Sequence, residues 1–196
     1  MEGKDIFTHD EALSHARFHV RTLADLLCEY FTVDPVYDFG CGDGWYLHKI
    51  QCARSENGRP LPRCVGFEGT ADLTGIAIHD NIIHPVDVGQ QIIVPQRGSV
   101  MSIEVGEHLP EAKIGPYVDN LVRACAHKLV VTWAVRGQGG RRHISCRNAD
   151  EVVPMFERRG FVYMSKTSMV WRNAILAQEE KRFHYLGNTI YLFERK

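Results

Sequence analysis

The sequence predicts an α/β fold with three layers, in which helices cover both faces of a mainly parallel, seven-stranded sheet. Two observations carry this prediction. From Val36 onward, short runs rich in β-branched and aromatic residues alternate with segments of helical periodicity. The first run, residues 36–39, leads directly into a turn with glycines at alternate positions, which is typical of a strand that turns tightly into a helix.

An extra amphipathic helix is expected before the sheet. Thr8 is its predicted N-cap, with Glu11 completing a capping box, and apolar residues follow at spacings of three and four as far as Tyr30. We interpret residues 1–34 as a helical cap on a core that spans 35–196, within one domain. Its three histidines are expected to be solvated or to lie at the core boundary: His9, His15 and His19.

Strands that alternate with helices form βαβ units, whose strands run parallel. The predicted strands occupy 36–39, 64–67, 81–84, 99–103, 128–135, 161–168 and 189–195. The predicted helices between them occupy 44–53, 114–127, 149–159 and 169–182, while 55–63 and 87–98 are expected to be loops. Asn148, followed by Glu151, marks the start of the third helix. One of the last two strands is expected to run antiparallel, because a longer helical segment joins them.

Composition restricts the classes of function. The formal net charge of −1 offers no basic surplus for a long nucleic acid. Six cysteines without a C-x-x-C pair indicate free thiols in a reducing compartment, not a disulfide framework or a zinc site. The polar start "MEGKDIFTHD" lacks the apolar segment of a secretory signal, and the longest apolar run, "LVVTWAV", is too short to span a bilayer. We therefore expect a cytoplasmic protein without a membrane partner; its oligomeric state does not follow from the sequence.

The glycine-rich turn in "YDFGCGDG" raises the question of which cofactor lies against its backbone. A dinucleotide fingerprint, G-x-G-x-x-G, needs its third glycine at position 45, where Trp45 stands; the third glycine is Gly44. Asp38, inside the preceding strand, is poorly placed for a pyrophosphate but suits an ammonium group. S-adenosylmethionine carries such a group and has no phosphate. A dinucleotide, or simple close packing of helix on strand, is the alternative.

The same stretch resembles the first motif of class I S-adenosylmethionine-dependent methyltransferases, which have a Rossmann-like fold. The likeness continues in chain order through "VGFEG", "PVDVG" and "SVMSIEVGEHLP", and the terminal strands are similar to the last two of that family. The resemblance implies that Glu68 binds the ribose hydroxyls and that Asp87 contacts the adenine amino group. The cofactor-binding set that it implies is Asp38, Phe39, Gly40, Cys41, Gly42, Gly44, Glu68, Gly69, Asp87, Val88 and Glu104.

The resemblance places catalysis after the fourth and fifth strands. A methyl on a sulfonium is already activated, so a hydroxyl acceptor mainly needs in-line alignment and a base for its proton. His108, oriented by a carboxylate such as Glu107, is one candidate base, and His143 is the other; a bracing role for His108 is equally open. Glu104, Glu107 and His108 could instead bind a divalent ion. Because successive side chains along a strand point to opposite faces, we expect no metal.

The loop at 134–147 is expected to act as a mobile lid over the acceptor. Its glycines favour movement, and Arg136, Arg141 and Arg142 could bind a phosphate or carboxylate; a merely solvated loop is the alternative. The Pro-Pro signature of nucleic-acid amino-methyltransferases and the Pro-Cys nucleophile of cytosine methyltransferases are both absent. We therefore expect a small molecule or a glycan as acceptor, methylated on a hydroxyl. N-methylation, action on a nucleotide or RNA end, and a catalytically silent cofactor-binding subunit remain alternatives.

Overall fold

The computed structural model describes residues 19–32, 35–56, 62–70, 77–78 and 82–196. The predicted capping box at Thr8 and Glu11, and the histidines at positions 9 and 15, lie outside these residues. The same is true of residues 57–61 in the predicted loop. Within the described ranges, no helix is both long enough and apolar enough to cross a bilayer.

The described strands form a single mixed sheet. They are β1 (Val36–Phe39), β2 (Cys64–Glu68), β3 (Ile83–Pro85), β4 (Gly98–Ser102), β5 (Cys125–Thr132), β6 (Phe161–Tyr163) and β7 (Ile190–Arg195). Their order across the sheet is β3-β2-β1-β4-β5-β7-β6. All neighbours pair in parallel except β7, which runs antiparallel to both β5 and β6. The predicted fold class is confirmed. The strand order reverses between β1 and β4, where a ligand crevice opens at the carboxyl ends of parallel strands.

The described helices cover both faces of the sheet. They are α1 (Arg21–Tyr30), α2 (Trp45–Glu56), α3 (Glu111–Ala124), α4 (Ala149–Glu157), α5 (Ser165–Gln178) and α6 (Leu186–Thr189), with 3₁₀ turns at Gly106–His108 and Lys181–Phe183. A hydrophobic core lies on each side of the sheet. Successive residues of a strand point to opposite faces and so contribute to different cores. Val36 and Leu192 pack with α1, α2 and α5, whereas Tyr37 and Phe193 pack with α3 and α4.

The starts of the central helices follow from their flanking residues. α4 begins where it was predicted, because the side chains of Asn148 and Glu151 form the expected capping box. α3 begins at Glu111, and not at 114, directly after the extended backbone of Pro110. It ends at Ala124 with no intervening loop, so β5 also begins three residues earlier than predicted, at Cys125 rather than 128.

The predicted strand at 161–168 is wrong beyond Tyr163. β6 ends there, and α5 begins at Ser165. Ser168 is fully buried, and its Oγ accepts a hydrogen bond from the Leu192 N–H at 3.0 Å. The helix contacts the sheet here through a serine, which a hydrophobic pattern counts as polar, so the periodicity did not reveal the first turn of this helix.

Candidate functional site

The glycine-rich turn joins β1 to α2 at the carboxyl edge of the sheet. Gly40, Gly42 and Gly44 have φ values of 81°, 55° and 79°. This left-handed region favours glycine, because a Cβ there clashes with the backbone. The N–H groups of Gly40 and Cys41 donate to the carbonyl of Phe67 at 2.7 and 3.1 Å, which fastens the turn to β2.

Gly42 is the point at which this turn faces open space. A Cβ on Gly42 would meet no atom of the described residues within 4 Å, whereas a Cβ on Gly40 would overlap the Val105 side chain at 2.3 Å. The Gly42 N–H donates to Glu68 Oε2 at 2.8 Å, and Glu68 Oε1 accepts from the Thr70 N–H at 2.9 Å. Glu68 therefore connects the turn to the end of β2 and lies beside the open position.

Asp38 lies beneath the turn, inside β1. The residue is 2% exposed, and its Oδ1 has no hydrogen-bond partner in the described part of the chain. Burial, followed by the negative charges of Glu68 and Asp43, raises the pKa of Asp38 well above its usual value. A buried carboxyl group in this state is stabilised by a ligand that brings a positive charge or hydrogen-bond donors.

Asp87 follows β3 at the same edge of the sheet. It forms an ion pair with Lys113 of α3, and its Oδ1 accepts from the Gly89 N–H at 2.9 Å. Partial burial raises the pKa of Asp87, but the hydrogen bonds from Lys113 and Gly89 outweigh this effect, so the pKa lies below its usual value. Asn120 of α3 fastens the same segment by donating to the Val88 carbonyl at 2.9 Å. Asp87 is thus ionised and held in place.

Three other predicted cofactor residues are buried, so that mainly their backbones are left for a ligand. Phe39 is 0% exposed, Cys41 6% and Val88 2%. Cys41 packs against Gly66, where an added Cβ would lie 2.5 Å from the thiol sulfur. Gly69 directly follows β2 and is partly exposed.

The chain after β4 bends sharply at Glu104, which has a φ of 55° although it is not glycine. This conformation is costly for a residue with a side chain and persists only where neighbours hold it. Here the Glu104 N–H donates to Thr132 Oγ1 at 2.6 Å, and Thr189 Oγ1 donates to Glu104 Oε1 at 3.4 Å. The bend leads the chain into the 3₁₀ turn at Gly106–His108.

Glu107, His108 and His143 converge on one point. One potential ligand atom from each lies within 4.8 Å of the others, and the two imidazole rings meet edge to face with centroids 4.8 Å apart. The N–H groups of Ile144 and Ser145 both donate to the Glu107 carbonyl at 2.9 Å, which brings the loop after β5 onto the 3₁₀ turn. A carboxylate with two imidazoles is a ligand set that divalent transition metals accept.

The expectation of no metal rested on side chains that alternate faces along a strand, and this premise does not apply. β4 ends at Ser102, and Glu107 and His108 belong to a 3₁₀ turn, in which neighbouring side chains can converge. Glu104, the third residue considered for a metal, does not belong to the convergent group.

The two acids after β4 influence each other. Glu107 is 0% exposed, and neither of its carboxylate oxygens has a hydrogen-bond partner among the described residues. Burial, followed by the charge of Glu104, raises the pKa of Glu107 well above its usual value. Burial also raises the pKa of Glu104, against the opposing hydrogen bond from Thr132. The pair therefore favours retaining a proton unless a cation lies beside it.

Two arginines of the loop at 134–147 form ion pairs with glutamates in the first turns of helices. Arg136 donates twice to Glu151 at the start of α4, at 2.8 and 2.5 Å. Arg147 pairs with Glu111 at the start of α3 at 2.5 Å. Both contacts lie next to a polar cavity of about 340 Å³. Its lining includes Arg136, Gln138, His143, Ser145 and Arg147.

His143 belongs both to this cavity and to the cluster with Glu107, so a ligand in the cavity would lie beside the cluster. Of the three arginines predicted to bind the acceptor, Arg136 lines the cavity, whereas Arg141 and Arg142 are exposed on the same loop and do not line it.

Sequence reasoning missed several contacts of the site. His19, as expected, lies at the core boundary, but it also stacks on Trp45 with ring centroids 4.4 Å apart, and its Nε2 lies 2.8 Å from Asp43 Oδ2. This fastens the residues before α1 to the glycine-rich turn. Lys113 and Thr132 were not singled out either. No local signal marks these residues, because each finds its partner across the sheet or between a helix and a loop.

No protein-family model matches the chain, and no curated protein matches it. Several solved structures are similar to the chain. Magnesium protoporphyrin IX methyltransferase from Synechocystis PCC 6803, with bound SAH, has a TM-score of 0.59 at 15% identity, over 94% of this chain and 84% of that one. The small RNA methyltransferase HEN1 has a TM-score of 0.58 at 12% identity, over 100% of this chain and 27% of its own. The cyclase SpnF has a TM-score of 0.53 at 13% identity, over 100% of this chain and 84% of that one.

These likenesses show a Rossmann-like fold of the kind that methyltransferases have. They do not decide the reaction, because one of the three structures is named as a cyclase, and a fold hosts many chemistries.

Proposed function

We propose that the protein is an S-adenosylmethionine-dependent methyltransferase that acts on a hydroxyl group. The observation that carries this proposal is the buried Asp38 carboxyl, whose Oδ1 has no partner among the described residues, beneath a glycine-rich turn at which Gly42 is exposed. The ammonium group of the cofactor supplies the missing partner, since an opposite charge favours the ionised carboxylate. A pyrophosphate would meet Asp38, Asp43 and Glu68, all acidic, which argues against a dinucleotide.

The remaining cofactor contacts follow the order of the strands. A carboxylate has about four acceptor sites, and the Gly42 N–H, the Thr70 N–H and the Thr70 hydroxyl occupy three of them, so Glu68 keeps one site on Oε2 for a ribose hydroxyl. Asp87 is proposed to accept from the adenine amino group. The backbone of Gly40 to Gly44 would lie along the amino acid end.

The cluster of Glu107, His108 and His143 is proposed to prepare the acceptor hydroxyl. Because the sulfonium methyl is already activated, the protein must align the hydroxyl and remove its proton. His108 can act as the base: its Nδ1 lies 3.3 Å from the Arg142 carbonyl, which only accepts hydrogen bonds, so Nε2 is the basic atom.

The same cluster also fits a divalent cation, and we favour this arrangement over the sequence-based expectation of none. Glu107 is buried, and none of the described ion pairs includes it, so its charge lacks a positive partner. A cation held by Glu107, His108 and His143 would supply Lewis acidity, which lowers the pKa of a bound hydroxyl.

The acceptor that we propose first is a small molecule or a glycan. The cavity beside His143 measures about 340 Å³, within the range of small-ligand pockets, and polar side chains dominate its lining. An exposed amine would need no proton removal of this kind once neutral, so the buried acid and imidazoles favour a hydroxyl over an amine.

A hydroxyl at an RNA end is the second candidate. The likeness to a small RNA methyltransferase extends over the whole chain, and Arg141 and Arg142 are exposed next to His143, where phosphates could pair with them. The net charge of −1 favours contact with a short terminal segment over contact with a long duplex. We also propose a reducing compartment, because all six cysteines are free thiols.

Calorimetry tests the cofactor. S-adenosylmethionine and S-adenosylhomocysteine should both bind, whereas NAD should not, and binding of NAD alone would overturn the proposal.

Methyl transfer is tested with labelled cofactor against three acceptor sets: small hydroxylated molecules and glycans, RNA oligonucleotides, and the same oligonucleotides with a 3′-terminal deoxyribose. Each set is assayed before and after EDTA treatment, with Mg²⁺, Mn²⁺ or Zn²⁺ restored one at a time. Label on RNA that is lost with the terminal deoxyribose would select the second candidate. Full activity after chelation would leave His108 or His143 as a base without a metal. Cofactor binding without turnover on any set would support a silent cofactor-binding subunit.

A further inference from the structure

We propose that Lys113 is a positioning residue that makes the cofactor site select adenine over other bases, by holding Asp87 in the orientation that accepts from an amino group. The proposal rests on the cofactor proposed above. It concerns a residue of α3, whose side chain reaches the segment after β3 from outside the glycine-rich turn.

Lys113 packs closely against the segment after β3. The Lys113 Nζ donates to Asp87 Oδ2, and its aliphatic stem passes so close to Gly89 that an added Cβ there would lie 2.6 Å from the Lys113 Cδ. Gly89 in turn donates its N–H to Asp87 Oδ1 at 2.9 Å. The Gln90 side chain also interacts with Asp87, so two or three of about four acceptor sites of this carboxylate are occupied and at least one remains.

The backbone of the segment is fixed independently of Lys113. Asn120 donates to the carbonyls of Val88 and Gln90 at 2.9 and 2.5 Å and accepts from the Ile92 N–H at 2.9 Å. Removing the Lys113 ammonium should consequently leave the loop in place. It should change the rotamer of Asp87, which is about one-third exposed.

An ionised carboxylate only accepts hydrogen bonds, so it favours the amino group of adenine and repels the carbonyl that hypoxanthine carries at the same position. Without Lys113, Asp87 loses the bond to Oδ2 that fixes its orientation. A rotated carboxylate no longer meets the adenine amino group, and the discrimination between the two bases should then weaken.

The test compares S-adenosylhomocysteine with S-inosylhomocysteine, whose base carries a carbonyl in place of the amino group and a protonated N1 beside it, by calorimetry on the full chain. The wild type should prefer the adenine compound by about 10- to 100-fold, the ratio expected for a hydrogen bond to a charged group. In Lys113→Met this ratio should fall to within a few-fold of unity, mainly through weaker binding of the adenine compound. Lys113→Arg, which keeps the charge, should restore most of the preference.

Lys166→Met on the exposed face of α5 is the matched control and should not change the ratio. Equal losses for both compounds in Lys113→Met, or an unchanged ratio, would overturn the role of Lys113 and leave the cofactor proposal standing. Failure of the wild type to bind either compound would overturn the cofactor proposal and this inference with it. Melting temperatures of the variants show whether any loss reflects unfolding instead.

Discussion

The cofactor side of the site, at the ends of β1 to β3, and the acceptor side, after β4 and β5, both gather carboxyl groups but satisfy them differently. On the cofactor side, Glu68 accepts from Gly42 and Thr70, and Asp87 accepts from Lys113. A ligand there joins a network that the chain has already built, and Asp38 is the buried acid in this network with an unpaired oxygen.

The acceptor side leaves more carboxyl oxygens without a hydrogen-bond partner. Both carboxylate oxygens of Glu107 lack a partner among the described residues, and Glu104 beside it has the strained φ of 55°. The difference indicates that changes on the cofactor side should affect mainly affinity, whereas changes on the acceptor side should affect mainly rate and its dependence on pH or cations. The predictions below test this division.

The largest effect is expected for His108→Ala. Turnover should fall by about 10²- to 10⁴-fold, the usual contribution of a general base, while cofactor affinity stays nearly unchanged. If His108 takes the proton without a metal, the pH–rate profile should also lose its limb near neutrality. Turnover, calorimetry and the pH profile measure these effects, with His127→Ala on the exposed part of β5 as control.

The proposed catalytic role is wrong if His108→Ala lowers the melting temperature and the cofactor affinity while turnover keeps its pH dependence. His108 would then stabilise the 3₁₀ turn at Gly106–His108 instead. If the limb of the pH–rate profile near neutrality disappears in His143→Ala but not in His108→Ala, His143 is the base.

On the cofactor side, Gly42→Val should reduce affinity for S-adenosylhomocysteine by about 100-fold or more, because its methyl groups would occupy the ligand's space. The positive φ adds backbone strain of roughly 1–2 kcal/mol. Calorimetry and thermal melting measure the two effects separately. Gly115→Val in α3 is the control, since a Cβ there also meets nothing within 4 Å but the backbone is not left-handed. Normal cofactor binding by Gly42→Val would show that the turn does not hold the cofactor.

A smaller loss of affinity is expected for Glu68→Ala, roughly 1.5–3 kcal/mol, the range for hydrogen bonds to a charged acceptor. Turnover at saturating cofactor should change little, which distinguishes this variant from His108→Ala. Glu56→Ala, at the exposed end of α2, serves as control. Unchanged affinity would mean that Glu68 only connects the turn to β2.

The smallest effect concerns stability. Glu107 has a pKa raised by burial, so the folded protein holds this proton more tightly than the unfolded chain. The free energy of unfolding should therefore fall as pH rises above about 4, where an unfolded glutamate ionises, and continue to fall until the folded group also ionises. Glu107→Gln should show a smaller fall, since Glu104 with its raised pKa still contributes, and be more stable than the wild type by about 1 kcal/mol at alkaline pH.

Urea denaturation of the metal-free protein at several pH values measures the difference, with Glu157→Gln at the exposed end of α4 as control. A divalent cation should stabilise the wild type and not Glu107→Gln. The same pH dependence in both proteins would show that Glu107 carries no unbalanced charge.

Sequence reasoning reached the fold class, the capping box of α4 and the left-handed glycines of the first turn, because these depend on local backbone preferences and on hydrophobic periodicity. It failed at the first turn of α5, where Ser168 takes a core position through a hydrogen bond to Leu192. It also applied strand alternation to Glu107 and His108, although the chain leaves its strand at Ser102.

By itself, the sequence determined the strand, glycine turn and helix between residues 36 and 53, and with them the edge at which a ligand would lie; the helix continues to Glu56, where a loop was predicted. Only the tertiary structure decided that His143 meets Glu107 and that Lys113 pairs with Asp87. A glycine's φ range or a helix cap acts over a few neighbouring residues. The convergence of side chains from separate loops and helices depends instead on how those elements pack on the sheet, which no short stretch of sequence encodes.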